Sequence, residues 1–238
     1  MVYNHTSASG QHAQSVLDRI VPGYYHRLNA QGVVERSTCC DNTATEHVMM
    51  DKLMSDSVLL WARHYKIDSF RFDLMGHQPK MAMMRMQQRI EKALGRRIDF
   101  IGEGWNFGEV ANGARFVQAS QMSLNGTGIG TFNDRLRDAV RGGSASDTPE
   151  RIQADQGYIS GLVLQPNAQA RAGQNPQDLM KVADQVRAGL AGSLRTYRMT
   201  TATGEPRALQ DIPYGTQPTG YVQEPSEVVN YTENHDNL

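Results

Sequence analysis

Three acidic side chains stand where catalytic chemistry would need them. Asp73 lies in "SFRFDLMGH" (69–77), Glu103 in "IDFIGEGW" (98–105) and Asp236 in "NYTENHDN" (230–237). Asp73 and Glu103 each follow a short apolar run that reads as a strand. Alternate strand residues share a face, so Phe70, Phe72 and Leu74 point one way, and Ser69, Arg71 and Asp73 the other. Burying a lone charge is costly, so Arg71 and Asp73 need partners or a job. Carboxyl groups at the ends of neighbouring parallel strands, ~4.8 Å apart, can reach the separation of about 5–5.5 Å at which one acts as nucleophile and the other as acid/base in retaining glycoside hydrolysis. Arg71 would keep Asp73 ionised, as a nucleophile requires. Glu103, between glycines and beside Trp105, would be partly desolvated and suited to donate a proton.

The elements that must position these groups alternate between strand and helix, the pattern of a parallel α/β architecture. The periodicity predicts a helix over 46–65, with Met50, Leu53, Met54, Ser57, Trp61 and Tyr65 on one stripe and Thr43 and Glu46 as its capping box. It predicts strands over 69–75, 98–105, 128–133 and 228–232, with a stub at Val2 and Tyr3. A helix from Pro79 to Leu94 stops at Gly95, and its methionine run "KMAMMRMQQ" (80–88) reads as a core face. "DRLRDAVRGG" (134–143) reads as a short helix. A longer helix over 177–194 carries Leu179, Val182, Val186 and Leu190, and residues 195–225 read as an irregular excursion. A complete (β/α)8 barrel needs eight strands in about 250 residues. The expectation is therefore one domain over 1–238, a partial (β/α)8 TIM barrel excerpted from a larger protein.

Composition narrows the classes. With 24 basic and 25 acidic residues and a formal net charge of −1, the chain has no surplus to attract nucleic acid or an anionic membrane. No run approaches the ~18 apolar residues of a membrane span, and "MVYNHTSASG" lacks the pattern of a signal peptide. The location of the protein is left open. The two cysteines, Cys39 and Cys40, are neighbours and read as free thiols rather than a disulfide framework.

In combination these motifs resemble the α-amylase superfamily of glycoside hydrolases. "VYNHT" (2–6) resembles the end of its first motif, "DSFRFDLMGH" the second, "GEGW" the third and "NYTENHDN" the fourth. The phrases "YKIDSFRFDLMGH", "GEGWNFGEVANGARFVQASQ", "GTGIGTFNDRLRDAVRGG" and "STCCDNTATEH" are most similar to pullulanases and limit dextrinases. The resemblance implies a barrel segment running roughly from the end of strand 3 to the end of strand 7. It implies Asp73 as nucleophile, Glu103 as general acid/base and Asp236 as transition-state stabiliser. Arg71 would position the nucleophile. His5 and His235 would hydrogen-bond the sugar, Tyr3 would stack on it and Asn4 would shape the first-motif loop. Trp105 and His77 would line the leaving-group side. The implied reaction is cleavage of α-1,6 branch linkages in a branched α-glucan. No organic cofactor is implied, and calcium, frequent in the family, has no ligands assignable here. Taken alone, the chain is expected to be unstable or inactive.

Other readings weigh less. A metal-dependent hydrolase using His5, His77, His235 and Asp236 lacks any paired metal-ligand spacing. A non-catalytic carbohydrate-binding fragment would not need all three acidic residues. α-1,4 hydrolysis or transglycosylation within the same superfamily stays open.

Overall fold

A computed structural model describes residues 1–236, in two compact units, Met1–Thr131 and Phe132 onward. The first unit opens with β1 (His5–Thr6), α1 (Leu17–Ile20) and β2 (Asp41–Asn42). β1 and β2 pair antiparallel, with His5 opposite Asn42. There follow α2 (Val48–His64), β3 (Ser69–Phe72), α3 (Lys80–Leu94), β4 (Asp99–Gly102), α4 (Gln121–Leu124) and β5 (Gly130–Phe132). β3 pairs parallel with β4, and β4 with β5, in the order 3-4-5, with Arg71 opposite Ile101 and Phe72 opposite Gly102. The parallel α/β expectation holds here: α3 is the crossover between β3 and β4, and no closed barrel is present among the described residues.

The strands are shorter than the apolar runs suggest. β3 ends at Phe72 because the backbone turns at Leu74 (φ 38°, ψ 50°), and Met75–His77 form a 3-10 turn. The alternation survives: Phe70 and Phe72 are buried and Arg71 is half-buried. Phe70, Phe72 and Phe100 pack as edge-to-face and tilted rings, with centroids 4.8–6.5 Å apart. Met83, Met86 and Ile90 of α3 close over this cluster, and Gly95 ends that helix at φ 66°, the left-handed backbone that glycine adopts freely.

α2 departs from its expected stripe. Its buried face runs through Met50, Met54, Val58 and Ala62, a clean i, i+4 series, while Leu53, Trp61 and Tyr65 are exposed. Smaller side chains let the helix approach the core, and Trp61 stacks on Tyr65 outside it at 4.5 Å. The anticipated capping box is absent. The Thr43 hydroxyl donates to the Tyr3 carbonyl, Glu46 is engaged by Arg27, and His47 occupies the cap position.

The second unit contains α5 (Asp134–Arg141), α6 (Pro149–Ala154) and α7 (Pro176–Leu190). Then come β6 (Arg198–Thr200), β7 (Pro206–Ala208), β8 (Pro213–Tyr214), β9 (Gln217–Pro218) and β10 (Val228–Val229). β6–β7 and β8–β9 form two small antiparallel pairs inside the stretch expected to be irregular. The short helix α6 was not anticipated; Thr148 caps it and Pro149 starts it. α7 buries Asp184, Ala188 and Gly189, not the expected aliphatic stripe, and Leu190 is exposed. The cause is close helix packing: a Cβ at Gly189 would stand 2.7 Å from Leu136 of α5.

Candidate active site

β3 and β4 run side by side in register, so the residues just beyond their ends, Asp73 and Glu103, arrive at the same edge of the sheet. One guanidinium ties them together. Arg71 Nη1 lies 2.7 Å from Asp73 Oδ1, and Nη2 lies 2.7 Å from Glu103 Oε1. The Asp73 contact is a charge-assisted hydrogen bond and the Glu103 contact an ion pair. Glu103 is almost fully buried, and its Oε2 accepts the Leu74 N–H at 2.8 Å. The left-handed turn at Leu74 therefore has a use: it aims a backbone donor at the carboxylate. A branched residue there is strained, and the Gly76 N–H to Glu103 carbonyl bond at 2.8 Å holds the turn shut.

Glycines bring the second and third motifs together. A Cβ at Gly76 would stand 2.1 Å from the Trp105 carbonyl oxygen, and one at Gly104 would stand 2.7 Å from the Gln121 nitrogen. The flanks of Glu103 are glycine because backbone passes against backbone there.

The first-motif residues lie on β1 and just before it. Asn4 is fully buried, and its amide meets His5 Nδ1 at 2.7 Å. Tyr3 donates its hydroxyl to Ser57 at 2.8 Å and packs its ring against Phe72, 6.4 Å between centroids. His5 Nε2 faces Cys39 Sγ at 3.6 Å. Cys39 and Cys40 are free thiols, as expected. The Cys39 thiol is pushed up to about 11 by its hydrogen bond with Cys40, by burial, and by the charges of Cys40 and Asp73.

His77 lies deep, 1% exposed, with Nε2 3.1 Å from Ser37 Oγ and its ring on Phe107. Burial, helped by the Arg27 and His5 charges and opposed by Glu109, holds it down at about 4, so it is neutral at physiological pH. Behind it stands a network that the sequence did not announce. Arg27 grips Glu46 through both carboxylate oxygens at 3.0 and 2.8 Å, reaches Glu109 at 2.8 Å and donates to the His77 carbonyl at 3.1 Å. Glu109 also accepts from Asn42 at 3.0 Å and from the Ser37 hydroxyl. Burial alone would raise its carboxyl, but the bonds from Ser37, Arg27 and Asn42 prevail and bring it down to about 2. No spacing links residues 27, 37, 46 and 109, and only the fold collects them.

His235 and Asp236 belong to the second unit. Their contacts are local: His235 Nε2 lies 3.3 Å from Asp236 Oδ1, and the Asp236 N–H donates to Asn234 Oδ1 at 3.0 Å. Asn237, also part of the fourth motif, lies outside the described residues.

No protein-family model matches the sequence. Individual relatives do, along the whole chain. It is 45% identical to a chloroplastic pullulanase of Arabidopsis thaliana and 46% identical to a pullulanase of Klebsiella pneumoniae, over 100% of its own length in both cases. It spans only 25% and 21% of the length of those relatives. Among solved structures, Klebsiella pneumoniae pullulanase complexed with maltotriose superimposes with a TM-score of 0.92 over 98% of this chain and 22% of that one, at 45% identity. An apo pullulanase from Paenibacillus barengoltzii, 29% identical, follows with a TM-score of 0.69. With identity near one half along its whole length, the chain corresponds to a segment of the pullulanases it matches.

Proposed function

We propose that this chain carries the carboxylate-bearing part of a (β/α)8 barrel, roughly from the end of strand 3 to the end of strand 7, in a retaining glycoside hydrolase that cleaves α-1,6 branch linkages of pullulan or limit dextrins. The observation that carries the reading is the single guanidinium of Arg71 held 2.7 Å from both Asp73 and Glu103. The maltotriose complex of the Klebsiella relative supports an α-glucan as substrate.

In this reading Asp73, which accepts a hydrogen bond from Arg71, attacks the anomeric carbon. Glu103 protonates the departing glycosidic oxygen, then takes a proton from the water that releases the glycosyl-enzyme. In the resting arrangement Arg71 and the Leu74 N–H both favour the Glu103 carboxylate, while burial favours its acid form. A glycosidic oxygen next to Glu103 tips that balance, with Arg71 shifting its weight to Asp73. Asn4 orients His5, which hydrogen-bonds the sugar, and Tyr3 forms the floor beside it; a sugar contact is assigned to His235 by the fourth motif alone. Asp236 is assigned by the fourth motif alone and would hold hydroxyls of the ring under attack. Trp105 and His77 belong to the leaving-group side, His77 by supporting the wall through Ser37. The displacement needs no organic cofactor, and calcium receives no ligands from these residues.

The test is an assay of the chain extended by its neighbouring gene sequence to a full barrel, on pullulan and on a linear α-1,4 glucan. Maltotriose release from pullulan alone, abolished in Asp73→Ala and Glu103→Ala, is the expected result. Cleavage of the linear glucan would keep the mechanism and replace the linkage. A folded protein that releases no sugar from either would end the reading. The 238-residue chain alone is expected to release none.

A further inference from the structure

The pairing of β1 with β2 has a side effect that the hydrolysis does not use. Placing His5 opposite Asn42 brings the residues just before β2, Cys39 and Cys40, beside the imidazole. His5 Nε2, Cys39 Sγ and Cys40 Sγ all lie within 4.8 Å of one another, with 3.6 Å between His5 and Cys39. A tetrahedral zinc ion with Zn–S of about 2.3 Å and Zn–N of about 2.0–2.1 Å sets its ligands about 3.6 Å apart for N and S and about 3.8 Å apart for two S. The histidine–thiol spacing already fits, and the second thiol has to close by at most about 1 Å. We propose that His5, Cys39 and Cys40 form a binding site for a thiophilic d10 cation, with zinc as the type, and that its occupation blocks glucan cleavage.

Two further features support the site. The two cysteines line an open cleft of about 280 Å³ with His12, Arg36 and Asp41, and Cys39 is exposed to solvent. Asn4 is fully buried and its Oδ1 has no hydrogen-bond partner among the described residues. Rotating that amide turns Oδ1 toward His5 Nδ1. That places the ring proton on Nδ1 and frees the Nε2 lone pair toward the thiols, the arrangement that metal-ligating histidines adopt.

The block rests on the proposed hydrolase reading, because it removes His5 from the sugar and sets a dication near Asp73. The binding itself does not depend on that reading. The barrel-complete protein, stripped of metal and shown folded by near-ultraviolet circular dichroism, is titrated with Co²⁺ and then with Zn²⁺. The expected result is one thiolate-to-cobalt charge-transfer band at one ion per chain, bleached by zinc. The band should be lost in Cys39→Ser/Cys40→Ser and weakened at least tenfold in affinity in His5→Gln. Zinc at matching concentration should stop pullulan cleavage by the parent and spare the double serine variant. Absence of the band from the folded parent, or its survival in the double serine variant, overturns the site. A cobalt band with zinc-insensitive cleavage overturns the block. If no variant cleaves any glucan, the hydrolase reading fails while the cobalt titration still decides the metal site.

Discussion

Two arginines in the first unit each hold two carboxylates, and they hold them to different ends. Arg27 is 1% exposed; Glu46, Glu109 and the His77 carbonyl are all bonded to it, and the Phe116 ring lies 5.3 Å from its guanidinium. The Arg71 side chain is 27% exposed and its partner Asp73 17%, with only Glu103 buried at 3%. The chemistry of the pairs is the same. The Arg27 cluster is locked, because any contact it breaks leaves the buried guanidinium short of a partner, even though Glu46 is itself 24% exposed. The half-open cluster can exchange its contacts for a substrate. Arg27 thus serves the fold, and in the proposed hydrolase Arg71 serves the reaction.

Substitutions should separate the two. Arg27→Ala strands the buried Glu109 and is expected to cost about 3 kcal/mol, read as a fall in the urea midpoint at unchanged slope. A loss below about 1 kcal/mol would make Arg27 no more structural than a surface pair. Arg71→Lys keeps the charge but not the fork. It should change stability by less than about 1 kcal/mol while lowering kcat on the order of 10²-fold, as for removal of one preorganised electrostatic partner. Equal damage to folding and turnover would erase the distinction.

Acid should also probe the Arg27 cluster. Glu109, held at about 2 against an ordinary 4.5, stabilises the fold above pH 4.5, and that stability is lost as pH falls toward 2. His77, held at about 4 against 6.5, binds its proton more readily when unfolded, so stability also drops as pH falls from 6.5 to 4. Glu109→Gln should flatten the lower part of the stability–pH curve, and His77→Gln the upper part. Unchanged slopes in both would remove the electrostatic account. The smallest effect is expected at Asp56, which pairs Lys52 at 2.5 Å and Arg89 at 2.5 Å but is 41% exposed. Asp56→Asn should shift stability by no more than about 0.5 kcal/mol, showing that two cations around a carboxylate matter only where water is excluded.

What the amino-acid order determined by itself is local. The alternation in "SFRFD" sorts Phe70 and Phe72 from Arg71, and Gly95 stops α3. The motif order marked Asp73 and Glu103, and their meeting on Arg71 follows from one strand–helix–strand repeat. The tertiary structure decided whatever depends on distance in sequence. Which side of α2 is buried was settled by how closely the helix approaches the core, so Ala62 is inside and Trp61 outside. The same packing put glycine and alanine, not leucine, on the buried face of α7. The Arg27 cluster and the His5–Cys39–Cys40 group are assembled from loops with no shared period. Short-range sterics and hydrophobic alternation are written along the chain, but charge pairing across loops depends on which surfaces the folded core leaves adjacent.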